Sequence, residues 1–254
     1  MKRAFYRQLG LEFRAIERPL RAQILVFTFT RLIFNTLYRM VYPFLPVFSR
    51  GLGVDISTLS LALTNRSVIG MLGPFLASIA DRRGRKVGML FSVGLFISGA
   101  TVMIIWPSYP GFVIMLILTS LGKFGFDPSM QAYLGDRIPY QRRGMALSVT
   151  ELGWSLSFFV GIPIISLLIA RQGWASPFAI LAFLGLAAGV VLIRLVPRDS
   201  VSIENPINFW QNFRRVFRFP PALAGLALGL SATIANETIN LIFGVWMEAS
   251  FGLK

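Results

Sequence analysis

The chain has 254 residues, 55% of them hydrophobic and only 14% charged, where a soluble domain carries roughly 25% charged residues; with a mean hydropathy of +0.66 it reads as an integral membrane protein. The net charge of +14 would suit nucleic acid, but the cations are scattered between apolar runs and form no basic domain, so they fit a topology signal and attraction to anionic lipid. Neither Cys nor His is present, which excludes disulfides, thiolate chemistry, imidazole metal sites and His relays, and leaves Asp and Glu as the proton carriers.

In chain order, residues 1–21 hold Lys2, Arg3, Arg7, Arg14, Arg18 and Arg21 against Glu12 and Glu17. They read as a cytoplasmic basic arm whose Phe5, Leu9, Leu11, Phe13 and Ile16 turn toward lipid. The arm is no cleavable signal, because the apolar segment after it is too long and no small-residue cleavage site follows. Seven segments then suffice to cross a bilayer, which needs roughly 20 residues: about 22–48, 58–80, 87–106, 112–134, 145–170, 178–196 and 221–246. The first carries Thr28, Arg31, Asn35, Tyr38 or Arg39, and Tyr42 at helical spacing, one polar stripe. Pro43 and Pro46 predict a bend at its outer end. The second carries Arg66, the fourth Lys123 and Asp127, the fifth Glu151, and the seventh Asn236, Glu237 and Asn240. The third and sixth hold no charge apart from Arg194 at the sixth's inner end. Gly153, Ser157 and Gly161, and again Gly185 and Gly189, lie four apart and predict faces for close helix packing, and Pro163 predicts a kink. Residues 197–220 are a hydrophilic connector.

Of the 25 Lys and Arg, eighteen fall in segments this topology makes cytoplasmic, three in outer segments and four inside spans. That asymmetry places the N-terminus in the cytoplasm.

Between the second and third spans, Asp81-Arg82-Arg83-Gly84-Arg85-Lys86 sets four other cations and one acid around its glycine, a density that cannot sit in hydrocarbon. It must be a tight surface loop, with Gly84 allowing the turn. A topology signal alone is one reading of it. The spacing resembles the signature loop of the major facilitator superfamily, G-x-L-A-D-R-x-G-R-K. This chain matches it from Ile79 to Lys86 with Ile for Leu, and has Ala77 at the first position. Tyr133-Leu134-Gly135-Asp136 with Arg142-Arg143-Gly144 is similar to the loop after the fourth helix of that family, and Gly173-Trp174 with Pro177-Phe178 to its fifth-to-sixth turn. Gly161 and Pro163, separated by Ile162, resemble the glycine–proline motif of antiporter members. The Arg often found in the fourth helix is missing from its usual place, and Lys123 is the candidate stand-in.

The resemblance implies an all-α, polytopic membrane fold: a six-helix N-terminal bundle over 22–196, the connector, and a seventh helix over 221–254 that begins a second bundle. Members usually have twelve helices in two halves, so the chain is expected to lack its C-terminal half and not to transport alone. The implied function is secondary active transport of a small solute by alternating access, of the efflux or proton-coupled kind, in the plasma membrane. No enzyme activity, cofactor, metal or nucleic acid is implied; the partners are a small-molecule substrate, protons, the lipid bilayer and the second half. Asp81, Arg82, Gly84, Arg85, Lys86 and Asp136 would form the cytoplasmic gating cluster, and helices one, four and seven would line the cavity.

Charges inside the spans mark the expected site, because a lone charge at mid-bilayer costs several kcal/mol and such residues face a wet cavity or pair with one another. They are Arg31, Arg39, Arg66, Lys123, Asp127, Glu151 and Glu237, with Asn35, Asn236 and Asn240 beside them. Counted at a rise of 1.5 Å per residue, Arg31 and Glu151 both lie about 11 Å from the inner face, and Arg39 and Glu237 about 24 Å. Depth therefore predicts Arg31–Glu151 and Arg39–Glu237 pairs, and Lys123 and Asp127 can meet one turn apart. Structural ion pairing alone is the plainer reading of the set. Asp127, Glu151 and Glu237 are the candidate proton carriers, Asp127 foremost for its depth. Cations outnumber acids four to three, which leans toward an anionic or zwitterionic ligand. A seven-helix receptor and a membrane enzyme are rival classes. The first expects an outside N-terminus, and the second lacks His, Cys or an acid beside a nucleophile. A non-transporting membrane scaffold is the remaining alternative.

Overall fold

A computed structural model of the chain describes residues 16–70, 73, 76, 83–197 and 214–251, and for 67, 68 and 236–251 it describes the backbone alone. The chain divides into two compact units at residues 202 and 203.

In the first unit, Pro19 sits in the opening turn of α1, Arg18–Met40, where its missing N–H leaves no helical bond unmade. The helix thus starts four residues before the apolar count would place it. Pro43 and Pro46 then break the segment as expected: α2, Leu45–Leu52, leaves α1 at an angle of 69°. Gly53, at φ 66°, ends α2 in the left-handed region that glycine enters without a Cβ clash. Next come α3, Ile56–Gly70, and α4, Arg85–Ile105. Ser108 caps α5, Tyr109–Arg137, by accepting from the Gly111 amide at 3.3 Å. The fifth expected span is α6, Tyr140–Leu156, a π-helical turn over Ser157–Gly161, and α7, Ile162–Gln172. The Ile162 amide reaches back to the Ser157 carbonyl, so a widened turn sits just ahead of Pro163, whose ring would otherwise crowd the preceding turn. α8 is Ser176–Leu195. Four described helices are long and apolar enough to cross a membrane, and the bent α1–α2 pair makes five.

Hydrocarbon is as apolar as leucine, so helices in a bilayer associate through close packing rather than through expulsion of water. The expected small-residue faces do this. A Cβ on Gly153 would fall 2.6 Å from the Thr28 carbonyl and 2.9 Å from the Arg31 Cβ. A Cβ on Gly161 would collide with the Thr36 side chain. Both glycines therefore bring α6 and its π turn onto α1. Gly185 and Gly189 likewise seat α8 on Phe96 and Val93 of α4. A third seam was not foreseen: Gly99, Gly122 and Gly125 lock α4 to α5, with Gly122 against the Ser92 carbonyl.

The core between α1, α4 and α5 is aromatic. Phe34 stacks on Phe96 with centroids 4.2 Å apart, and Phe126 meets Phe34 and Phe27 at 5.4 and 6.4 Å. At the outer end, Phe48 of α2 gathers Phe112, Trp174 and Phe178. At the inner end, the Tyr133 hydroxyl donates to Gln23 Oε1, and Gln23 Nε2 donates to the Leu195 carbonyl, tying α5, α1 and α8 together.

The second unit contains α9, Pro220–Phe251, which covers the expected seventh span.

A charged seam between the first, fourth and fifth spans

The polar stripe of α1 faces inward. Thr28, Arg31, Asn35 and Arg39 are all buried, covered by α5 and by α6 with its π turn. Arg31 is the hub. Its Nη1 and Nη2 donate to the two oxygens of Glu151 at 2.6 and 3.2 Å, and its Nε lies 3.0 Å from Asp127 Oδ1. The other oxygen of Asp127 accepts from Lys123 Nζ at 2.8 Å. Two cations and two acids from three spans thus form one neutral network. The Arg31–Glu151 and Lys123–Asp127 contacts follow from depth and helical spacing. The bridge from Arg31 to Asp127 does not, because counting along single helices says nothing about which faces meet.

The glycine seam explains why the bridge forms. Gly153 brings the α6 backbone against Thr28 and Arg31, which lets a fork of fixed geometry take Glu151 with both terminal nitrogens. The Arg31 side chain is 6% exposed, that of Asp127 19% and that of Glu151 54%, so the network runs from the packed interior to the unit's surface at Glu151.

Farther out, aromatic rings hold the cations. The Arg39 guanidinium lies 3.3 Å from the Trp154 ring centroid and 4.1 Å from that of Phe158. Lys123 Nζ is 5.6 Å from Trp154 and 5.7 Å from Tyr38. The Arg66 guanidinium lies 3.8 Å from Tyr38, and its nitrogens donate to the Tyr38 carbonyl at 3.0 Å and the Tyr42 hydroxyl at 2.9 Å. Arg66 is 1% exposed, and no carboxylate among the described residues reaches it. The sequence reading missed Trp154 and Phe158. Their signal was the recurrence Glu151, Trp154, Phe158, three and four apart on one face.

A cation gains roughly 0.5–2 kcal/mol over an aromatic face. A second cation about 6 Å from the first, at an effective dielectric of about 20, is repelled by roughly 3 kcal/mol. Ring faces that already carry Arg39, Lys123 and Arg66 are therefore poor places for a further cation. Two neutral polar groups lie beside them: the Asn35 amide, 1% exposed, and the Ser120 hydroxyl, fully buried, neither with a hydrogen-bond partner among the described residues.

At the cytoplasmic end, Gly84 takes φ 98°, a conformation that L side chains rarely adopt, so the expected turn is there. Arg85 Nε lies 3.4 Å from Asp136 Oδ2, and Lys86 Nζ donates to the Ile193 carbonyl at 2.7 Å. Asp81 and Arg82 lie outside the described residues, as do the side chains of Asn236, Glu237 and Asn240, and with them the expected Arg39–Glu237 pair.

Comparison with known proteins supports the same architecture. The Major Facilitator Superfamily pattern matches residues 27–254. The uncharacterized MFS-type transporter YwfA of Bacillus subtilis (strain 168) is 27% identical over 140 residues, 55% of this chain and 34% of that protein. The chloramphenicol resistance protein of Streptomyces lividans is 26% identical over 160 residues, 62% of this chain and 41% of that protein. The fold is similar to that of the POT family transporter PepTSo, with a TM-score of 0.61 at 19% identity over 86% of this chain and 48% of that one. The matched region thus spans less than half the length of each of these proteins. A helical bundle sealed by glycines around a charged interior, together with a family match over nearly its whole length, makes this integral membrane chain a member of the Major Facilitator Superfamily, a family of small-solute transporters rather than enzymes.

Proposed function

We propose that residues 1–254 belong to a proton-coupled exporter of a small solute that works by alternating access in the plasma membrane, with its N-terminus in the cytoplasm. The observation that carries this reading is the network in which Arg31 joins Asp127 of α5 and Glu151 of α6. Four charges sunk in the membrane interior are costly unless used, and these join three spans of one bundle. The chloramphenicol resistance protein among the relatives supports the export direction, and the distribution of Lys and Arg supports the orientation.

Asp127 is the carrier in this scheme. A proton on its carboxyl leaves Lys123 and Arg31 short of counter-charge, and loss of the proton restores it. The pair Arg85–Asp136, joined by Asp81, would steady one state of the cycle at the cytoplasmic face. The arm over 1–21, the bundle over 22–196, the connector over 197–220 and the helix over 221–254 are the functional divisions. Alternating access rocks one half against another, so the first bundle works against a counterpart outside these residues.

The test is Asp127→Asn in the complete transporter, reconstituted in liposomes with an imposed pH gradient and a panel of substrates. The expected result is transport that no longer responds to the gradient. Undiminished dependence on the gradient would move coupling elsewhere. Saturable uptake by residues 1–254 alone would overturn the requirement for a counterpart.

A further inference from the structure

We propose that a cavity at the inner end of the first unit, separate from the charged seam, binds the phosphodiester group of an amphiphile. The cavity measures about 450 Å³, within the range of small-molecule pockets. It lies where α1 and α6 begin, α5 ends and the chain leaves α8. Its place at the cytoplasmic face rests on the orientation proposed above; its chemistry does not. Pro19, Pro139 and Pro197 line it, and a proline ring fixes φ, so the backbone around the cavity is set before a ligand arrives. The side chains beneath are fixed as well: the buried Tyr133 hydroxyl donates to Gln23 Oε1, and Gln23 Nε2 donates to the Leu195 carbonyl.

The charges that line the cavity select the ligand. Arg137 and Arg142 stand against one carboxylate, that of Glu17. Together they leave a net charge of +1, the complement of a phosphodiester with its single negative charge. A dianionic phosphate monoester would keep an uncompensated charge beside Glu17. The Arg137 guanidinium lies 3.8 Å from the Tyr133 ring centroid, which orients its fork of five N–H donors, a geometry that matches phosphate oxygens. Gln23 is 6% exposed, and its Nε2 carries two N–H groups. One goes to the Leu195 carbonyl; the other has no partner among the described residues and is a donor that a phosphate oxygen would satisfy. α1 and α6 both start at this cavity without a side-chain cap, so the positive ends of two helix dipoles add to the field. Ile16, Leu20 and Ile138 supply apolar wall beside these donors, which suits a phosphate joined to an apolar body. At a membrane surface that body is the glycerol and first acyl carbons of a phospholipid, and basic pockets between spans on the cytoplasmic side suit such headgroups. A soluble phosphodiester shares the charge and lacks the acyl chains.

The experiment titrates the 254-residue chain, in dodecylmaltoside micelles, with three probes: dihexanoyl phosphatidylglycerol, the dihexanoylglycerol that lacks its phosphate, and glycerophosphoglycerol, which has the phosphodiester and no acyl chains. Phosphatidylglycerol should bind about tenfold more tightly than the diacylglycerol. Arg142→Gln, at an exposed position and with folding checked by thermal melting, should erase most of that preference and leave the diacylglycerol's affinity unchanged. Arg171→Gln, exposed at the far end of α7, should keep the preference. Glycerophosphoglycerol that binds as tightly as phosphatidylglycerol assigns the cavity to a soluble phosphodiester, and weaker binding assigns it to a lipid headgroup. If neither phosphodiester binds more tightly than the diacylglycerol, or if Arg171→Gln loses as much of the preference as Arg142→Gln, the proposal is overturned. If Arg142→Gln does not fold, the three probes on the unaltered chain and on Arg171→Gln still decide. Transport that proves absent while the preference stands overturns only the exporter reading, because the binding measurement needs no transport.

Discussion

Arg31 and Arg39 lie two turns apart along one helix, and the protein stabilises their charges in different ways. Arg31 has two carboxylates within 3.0 Å. Arg39 lies on the faces of Trp154 and Phe158. A cation held by carboxylates makes a neutral locus whose balance changes when a proton arrives. Aromatic rings take up no proton, so the packing of Trp154 and Phe158 on Arg39 is not itself altered by protonation. On the function proposed above, the carboxylates around Arg31 serve proton coupling and the aromatic layer around Arg39 serves the substrate, two adjacent layers of the same seam.

The comparison is broken most severely at Asp127, because that carboxylate serves two cations. Asp127→Asn leaves Lys123 with no carboxylate among the described residues and Arg31 with Glu151 alone. Removing one partner of a buried ion pair costs about 3–5 kcal/mol, and that is the loss of stability expected in SDS unfolding titrations of the purified protein in mixed micelles. Glu151→Gln should cost much less, since its side chain is 54% exposed and water takes over its role. If the two variants lose the same amount, Arg31 is not the hub.

The next largest effect acts on the seam rather than the charges. Gly153→Ala places a methyl group 2.6 Å from the Thr28 carbonyl and 2.9 Å from the Arg31 Cβ. Backbone cannot yield as a flexible side chain can, so α6 must shift away from α1. Overpacking of this kind costs about 1–3 kcal/mol, and the shift lengthens the Arg31–Glu151 contact. Gly94→Ala is the control: nothing lies within 4 Å of the added methyl, and helix propensity alone stabilises by up to about 1 kcal/mol. Melting both variants side by side separates a specific helix contact from a general effect of removing glycine.

How much of this could be read beforehand follows the same division. The helices, the bend at Pro43 and Pro46, and the glycine faces of α6 and α8 were legible, because each depends on spacing along one helix. Arg31–Glu151 was legible because two residues at equal depth on neighbouring spans have few other partners. The three-way sharing of Asp127 and the rings beneath Arg39 and Arg66 were not, since they depend on how helices rotate about their own axes. Gly99, Gly122 and Gly125 set part of that rotation for α4 and α5, and single-helix counting gives their spacing without giving their partners.

A smaller effect is expected in the ring-held layer. Trp154→Leu removes the face shared by Arg39 and Lys123 and should cost about 0.5–2 kcal/mol, the range for cation–π contacts from exposed to desolvated sites. Trp154→Phe keeps a ring and should recover most of it. Under the division of tasks argued above, Trp154→Leu should weaken substrate binding while leaving the response to a pH gradient intact, the reverse of Asp127→Asn. Parallel binding and transport assays on the two variants check this crossing of effects. Both functions falling together in either variant would show that the two layers are one.

The smallest effect on stability belongs to the ion pair at the cytoplasmic surface, which tests the comparison from outside the membrane. Arg85 and Asp136 approach to 3.4 Å, but the Asp136 side chain is 47% exposed. Water screens such a pair, and exposed pairs contribute about 0–1 kcal/mol. Asp136→Asn should therefore leave the unfolding titration within about 1 kcal/mol of the unaltered protein. Its effect should appear instead in the distribution between inward- and outward-facing states of the complete transporter, read as the accessibility of single introduced cysteines to membrane-impermeant reagents on each side. A charge that contributes little to folding can still bias two states of nearly equal energy, because a shift of about 1.4 kcal/mol changes their ratio tenfold. If Asp136→Asn destabilises the fold as much as Asp127→Asn does, burial is not what separates the interior charges from those at the surface.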